Sequence, residues 1–444
     1  MSLLWLFVVL VLSVLLHEAG HAVAAKAGGY TVTSFGIGSG KPLLLFRLPR
    51  SGCIIYLCRF GLRFTGVTWV FFPSGTPSRA SDLLLASGGM LTNTLIAFGA
   101  SRLLASFELR SVSLLAVWVP TVVVLLVNSV LALASFVPHR TLSVAQGTFA
   151  SDGLHVLAVL FPRRFRGMPL AGVTAPLRTL SQKRAFWESI TDHSLLCAAL
   201  VRAADAYWEL DDRSAARACW KELSALEVMP GVTAYQRAWS QLLAVRLDEA
   251  ANPTATLGEA EISFHGIGSR TGVLLVARER VVHLDARPVP DRDATFEVLQ
   301  QEAMALREPA LALAILADRI DLMSRLVCGE ENSPSSIEAA YTSLERLASQ
   351  YDAARVDVES SSADVRVYGH IALARTALGD DGGAAIAYER ALSAARRVFA
   401  ALAFQPEAQS RFASRQSSIV RSAMECNRRL GREADAERYA HLLA

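Results

Sequence analysis

Near its start the chain sets two histidines and a glutamate inside an apolar run. The residues are His17-Glu18-Ala19-Gly20-His21, an H-E-x-x-H pattern. Leu3 to Leu16 is apolar apart from Ser13, and Ala22 to Ala25 is apolar again. At about 1.5 Å per residue, a helix over Leu3–Ala25 is long enough to cross a bilayer. On such a helix positions i and i+4 share a face, so His17 and His21 point the same way and can bind one Zn2+. Glu18 lies beside them, where a carboxylate can take a proton from a water that the zinc activates. Histidines and a carboxylate inside a membrane helix are costly and mark function, with partners elsewhere in the chain. Chance gives H-E-x-x-H roughly 0.01 times in a chain of this composition. The bland alternative is a pair of helix histidines satisfied by core hydrogen bonds, and the apolar flanks make that arrangement expensive.

A chain of 444 residues should hold more than one domain. A mean hydropathy of +0.32 and 52% hydrophobic residues fit a membrane part joined to a soluble part. The net charge of +3 is too small to argue for nucleic acid, and no nucleic-acid motif is present. Of the cysteines only Cys53 and Cys58 lie close together, and no second pair accompanies them, so they read as reduced thiols. The N-terminus lacks the basic start of a signal peptide. Cleavage there would split the metal motif, so the segment reads as a retained membrane helix.

Residues 27–82 are not apolar enough to span. Short strand-like runs, Thr31–Phe35, Leu43–Leu48, Cys53–Phe60 and Gly66–Phe72, are punctuated by Gly, Pro and Ser as hairpins would be. Leu83–Phe107 is a second apolar stretch, interrupted by Ser87-Gly88-Gly89 and Thr92-Asn93-Thr94, which suit close helix contact and interhelical hydrogen bonds. Val112–Val137 is a third, containing Pro120 and Asn128. Basic residues gather in 27–82 and again at Arg140, Arg163, Arg164 and Arg166. Three spans with basic segments after the first and third put the N-terminus outside and the remainder in the cytoplasm of a multi-pass cell-membrane protein.

From about Ser181 the composition turns to Ala, Arg, Leu, Glu and Asp at helical spacing. Leu210-Asp211-Asp212 is followed at +6, +10 and +13 by Ala216, Trp220 and Leu223. Leu378-Gly379-Asp380 gives Ala384, Tyr388 and Ala391, and Leu430-Gly431-Arg432 gives Ala436, Ala440 and Leu443. This resembles the second half of a tetratricopeptide repeat; the plainer alternative is an ordinary Ala-rich helical domain. Either way it is an all-α module suited to binding.

A catalytic zinc needs a third protein ligand. The metzincin pattern is excluded, because Ala24 and Ala27 stand where it needs Gly and His. Glu108, His139 and His155 are candidates by type. Asp152 is the better one: it follows the third span in a Ser-Asp-Gly turn that opens a short apolar helix, where its other role would be N-cap. Gly153 lets the backbone approach closely.

These elements resemble the site-2 protease family of intramembrane zinc metalloproteases. His17–His21 and Asp152-Gly153 match its metal motifs. Phe35-Gly36-Ile37-Gly38-Ser39-Gly40-Lys41-Pro42 is similar to its glycine-rich entry to a membrane-associated β-hairpin. Gly88-Gly89-Met90-Leu91-Thr92-Asn93 is similar to its A-G-P-x-x-N segment, and Asn128 through Pro138 to Asp152-Gly153 to its N-x-x-P…L-D-G segment, with a wider gap before Asp152. The resemblance covers about 1–165. It implies His17, His21 and Asp152 as ligands of one Zn2+, Glu18 as general base and then acid, and Asn93 on substrate backbone or an oxyanion; interhelical hydrogen bonding is the other reading of Asn93. The expected fold is a polytopic α-helical membrane domain (1–165, three spans plus a membrane-associated β-hairpin region), a linker (166–190) and a cytoplasmic, all-α, tetratricopeptide-like soluble domain (191–444). The expected activity is cleavage of peptide bonds in or near transmembrane segments, with a membrane-protein substrate, the lipid bilayer and a protein partner of the helical domain as partners. The competing reading is a membrane-anchored helical-repeat scaffold with a structural or degenerate zinc site. An intact Glu18 favours the protease, because a structural site needs no base there.

Overall fold

The computed structural model describes residues 3–38, 40–59, 66–71, 78–106, 112–137, 140–143, 147–161, 174–306, 308–329, 333–355 and 361–440. Contacts divide the chain into two units. One comprises Met1–Met168, Thr179–Ala198 and Val228–Thr233, the other Pro169–Arg178, Ala199–Glu227 and Ala234–Ala444.

The first unit is built on α1 (Leu3–Ala27), α2 (Arg79–Ser106) and α3 (Val112–Phe136). Among the described residues these are the three helices long and apolar enough to cross a membrane, over Trp5–Ala27, Arg79–Ser106 and Val117–Phe136. Val23, Leu95 and Leu133 stand 73, 68 and 68% exposed on their outer faces. Water penalises such a surface and lipid does not. A Cβ on Gly88 would lie 2.6 Å from the Gly20 carbonyl oxygen, so α1 and α2 touch backbone to backbone. The polar residues that interrupt the first and third runs meet each other: Asn128 Nδ2 donates to Ser13 Oγ at 3.1 Å.

The strand-like runs become β1 (Thr31–Ile37), β2 (Pro42–Arg47), β3 (Ile54–Cys58) and β4 (Gly66–Phe71), in the order β2-β3-β1-β4. The run ends Phe60 and Phe72 lie outside the described residues. The expected series of hairpins is realised once, by antiparallel β2 and β3, where Arg47 pairs with Ile54. The centre is a parallel pair, β1 with β3, and β4 returns antiparallel on the outside of β1. Alternation in a sequence sets which face a side chain takes, but not which strand lies alongside.

Both sheet faces are covered. Phe35, Ile55 and Cys53 pack with Leu15, Ala19 and Ala22 of α1. On the other face lies α5 (Thr174–Ser189), the next described helix after α4 (Asp152–Leu160). Tyr56 and Trp69 meet Phe186 at ring separations of 5.5 and 6.2 Å, and Trp69 meets Trp187 edge-on at 5.6 Å. Just past α5, Ser34 Oγ donates to Asp192 Oδ2 at 2.6 Å and Arg47 Nη2 to the Thr191 carbonyl at 3.0 Å.

The remaining helices are α6 (His193–Glu209), α7 (Arg213–Leu226), α8 (Ala234–Arg246), α9 (Pro253–Gly266), α10 (Arg270–His283), α11 (Val289–Ala305), α12 (Pro309–Cys328), α13 (Pro334–Ala354), α14 (Ser361–Ala377), α15 (Asp381–Ala401), α16 (Pro406–Arg415), α17 (Ser417–Arg429) and α18 (Glu433–Ala440). The repeated signature has a structural meaning. Asp211, Gly379 and Gly431 each adopt the left-handed conformation, at φ +57, +78 and +71°. The next residue donates back across the helix end: Asp212 to Tyr207 O at 2.7 Å, Asp380 to Arg375 O at 3.0 Å, Arg432 to Asn427 O at 2.9 Å. That is the Schellman cap. Asp212 and Asp380 then cap the following helix, accepting from the Ala215 and Gly383 amides. Of the residues at the repeat offsets, Ala216, Leu223, Ala384, Tyr388, Ala391 and Ala436 are fully buried, Trp220 is half-buried, and Leu443 lies outside the described residues.

Candidate metal centre and active site

The helical period puts His17 and His21 on one face of α1, with their Nε2 atoms 3.3 Å apart. The tautomer of His21 follows from its neighbour. The Leu85 carbonyl can only accept and lies 2.7 Å from His21 Nδ1, while the Gly89 amide points at the same atom from 3.3 Å; the shorter contact favours a proton on Nδ1. Nε2 of a neutral ring is then a bare lone pair. His17 Nδ1 faces Asn93 Nδ2 at 2.9 Å, while Asn93 Oδ1 is buried without a hydrogen-bond partner. If His17 also offers Nε2 to a metal, its proton sits on Nδ1, and a half-turn of the Asn93 amide supplies the acceptor.

Asp152 arrives from the far side of the sequence. Between α3 and α4 runs a hairpin, β5 (Arg140–Ser143) with β6 (Gly147–Ala150), whose ends Arg140 and Ala150 pair. It absorbs the additional length noted before Asp152 and returns the chain to the end of α3. Ser151 Oγ donates to the Val137 carbonyl at 2.9 Å and accepts from the Leu154 amide at 3.3 Å. Ser151 is therefore the N-cap of α4, and Asp152 is not; its carboxylate is released toward α1. Gly153 abuts the Phe136 carbonyl, where any Cβ would collide.

Asp152 Oδ2 lies 3.1 Å from His17 Nε2, and Oδ1 lies 3.2 Å from His21 Nε2. Two imidazole nitrogens and the two oxygens of one carboxylate thus converge, and a cation between them resolves their mutual repulsion. The spacing is compatible with zinc. Tetrahedral zinc with bonds of about 2.0–2.1 Å separates its donors by roughly 3.3 Å, and the observed edges are 3.1–3.3 Å. Gly89 leaves room for the ion, because a Cβ there would stand 2.5 Å from Nε2 of both histidines. The residues present fit zinc, with one position left for water or substrate.

Glu18, 5% exposed, is next to the ligands on α1. Thr68 Oγ1 on β4 lies 2.8 Å from Glu18 Oε2 and 2.9 Å from its backbone oxygen. The structure therefore brings together His17, Glu18, His21, Asn93 and Asp152. His155 is exposed and lies outside the metal-binding group. Glu108 and His139 lie outside the described residues. Sequence reasoning missed Thr68 and the Leu85 carbonyl. Neither carries a signal: one is an ordinary strand threonine, the other a backbone group.

No match is found among curated proteins. The model of Peptidase family M50 matches residues 5–374, which takes in the H-E-x-x-H helix, the sheet, Asn93 and Asp152. Together with the site geometry this places the resemblance on firm ground: the chain belongs to Peptidase family M50, the site-2 protease family.

Proposed function

We propose that this peptidase is an intramembrane zinc endopeptidase that hydrolyses peptide bonds in or near transmembrane segments of membrane proteins. The observation that carries the reading is the convergence of His17 and His21, on a helix apolar enough to span, with the Asp152 carboxylate, their ligand atoms all within 4.8 Å of one another. When bound, zinc supplies the Lewis acidity that activates a water and polarises the scissile carbonyl. Glu18 accepts the proton of the attacking water and then returns it to the leaving amine. His21, tied to Leu85, and His17, tied to Asn93, hold their rings for the metal. In this reading Asn93 serves by orienting His17, in place of the substrate or oxyanion contact that the resemblance implies.

A transmembrane helix satisfies its amides internally and must unwind before it can be cut. Among the described residues β4 is an edge strand, and its Thr68 touches Glu18. An unwound substrate added along that edge would run past the base with its backbone paired. The helical unit carries a groove of about 1010 Å³ lined by Trp208, Arg246, Arg278, Arg366 and His370, which would receive a protein partner that recruits or regulates. The orientation in the cell membrane is N-terminus outside and helical unit cytoplasmic.

Glu18→Gln tests the function. The variant should keep about one zinc per chain by elemental analysis, while a membrane protein that wild-type cells process accumulates uncut. If every such protein is still processed, the endopeptidase reading fails and the scaffold reading takes its place.

A further inference from the structure

We propose that Thr68 is the positioning residue that aims the Glu18 carboxylate, a role resting on the reading of Glu18 as the base. Among the described residues Thr68 Oγ1 is the one hydrogen-bond donor that reaches that carboxylate. Glu18 is buried, with flexible side-chain torsions between its helix and the reacting water. A base must stand within hydrogen-bond reach of the proton it takes, and about 1 Å of misplacement can cost 100-fold in rate.

The pairing of β4 shows why Thr68 faces α1. Thr68 lies opposite Phe35, whose ring packs on α1, and Trp69 lies opposite Ser34, which faces Asp192. Gly66 and Thr68 are two residues apart and so share the α1 face. A Cβ on Gly66 would stand 2.6 Å from Glu18 Cγ, so the side chain lies directly over bare strand backbone. Gly66 limits the volume and Thr68 fixes one oxygen. The strand is itself held from behind: Trp69 packs on Trp187, and Tyr56 Oη donates to the Val67 carbonyl at 3.1 Å.

The hydroxyl faces two acceptors of one residue, Glu18 Oε2 at 2.8 Å and the Glu18 carbonyl at 2.9 Å, so β4 sets where the carboxylate lies relative to its own backbone.

The test uses the full-length chain in detergent, with Thr68→Val, which keeps the shape and loses the hydroxyl, and Thr68→Ser, which keeps the hydroxyl. The probe is a fluorescent protein fused to a single transmembrane segment, selected as one that wild type cuts and Glu18→Gln does not. Thr68→Val should lower kcat about 10- to 100-fold with KM and zinc content unchanged, and Thr68→Ser should stay within about threefold of wild type. Infrared difference spectra, wild type minus Glu18→Gln, supply a readout independent of turnover. The Glu18 carboxylate band should move in Thr68→Val and return in Thr68→Ser. A Thr68→Val enzyme with wild-type kcat and an unmoved band overturns the inference. So does an equal loss in both variants, which marks a merely structural contact. If no fusion is found that wild type cuts and Glu18→Gln spares, the endopeptidase reading fails instead, and the infrared band still decides whether Thr68 holds Glu18.

Discussion

Replacing Gly89 by alanine addresses the metal site with a single carbon. Its Cβ would lie 2.5 Å from Nε2 of both His17 and His21. Non-bonded carbon and nitrogen rest about 3.5 Å apart, so each contact overlaps by about 1 Å. The overlap can be relieved in two ways. Moving α2 off α1 opens the backbone contact at Gly20 and Gly88. Swinging the rings by about 1 Å stretches a zinc–nitrogen bond of about 2.0–2.1 Å by half its length. The rings are also tethered, His21 to Leu85 O at 2.7 Å and His17 to Asn93 at 2.9 Å. Zinc affinity should therefore fall at least about 100-fold, about 2.8 kcal/mol. The assay is metal content by elemental analysis, followed by competition against a graded series of chelators. Gly99→Ala on the same helix is the control, because nothing lies within 4 Å of a Cβ there. A Gly89→Ala protein that binds zinc within about threefold of wild type would refute the donor triangle as the metal site.

Three further outcomes are expected. Asn128→Leu removes the buried bond to Ser13 and should lower resistance to unfolding in mixed detergent by about 0.6–1.7 kcal/mol. Glu279 and Arg246 are each 3% exposed and paired at 2.7 Å. Burial raises the Glu279 carboxyl, but Arg246, His283 and Arg278 together hold it well below its ordinary value of 4.5. A depressed folded-state value means stability that is present above about pH 4.5 and lost as pH falls below it. Glu279→Gln should lower thermal stability at neutral pH by about 3–5 kcal/mol and flatten that acid loss. Thr191 is a β-branched residue at φ +55°, so Thr191→Gly should raise the melting temperature by removing about 1–2 kcal/mol of backbone strain, since Arg47 bonds only its carbonyl.

What the sequence revealed and what it hid divides along physical lines. His17, Glu18 and His21 are legible because a helical period is local. The helix-end signature is legible because glycines such as Gly379 and Gly431 favour the left-handed turn they adopt. At the start of α4 three consecutive residues, Ser151-Asp152-Gly153, all suit a helix start. The choice of Ser151 as cap rests on its extended backbone, ψ 160°, which composition does not carry. The sheet order was hidden because β1 pairs with β3 across an intervening strand. Phe186 and Trp187, in a stretch whose polar neighbours read as a linker, declare their role only when Tyr56 and Trp69 come against them.

Sheet register ties these observations together. A slip of β4 by one residue exchanges the two faces of the strand. Trp69 would then press on Glu18, and Thr68 would meet the aromatic pair on α5. Neither exchange is tolerable: an indole cannot occupy the space that Gly66 and Thr68 leave beside Glu18, and a threonine cannot replace Trp69 between Phe186 and Trp187. The packing of α5 on one face therefore specifies the hydroxyl that reaches Glu18 on the other. Among the described residues no strand pairs with the outer edge of β4. A strand fixed on both faces and open along one edge, beside the base, can accept an extended backbone without losing its own alignment, which is what the proposed cleavage of an unwound helix demands.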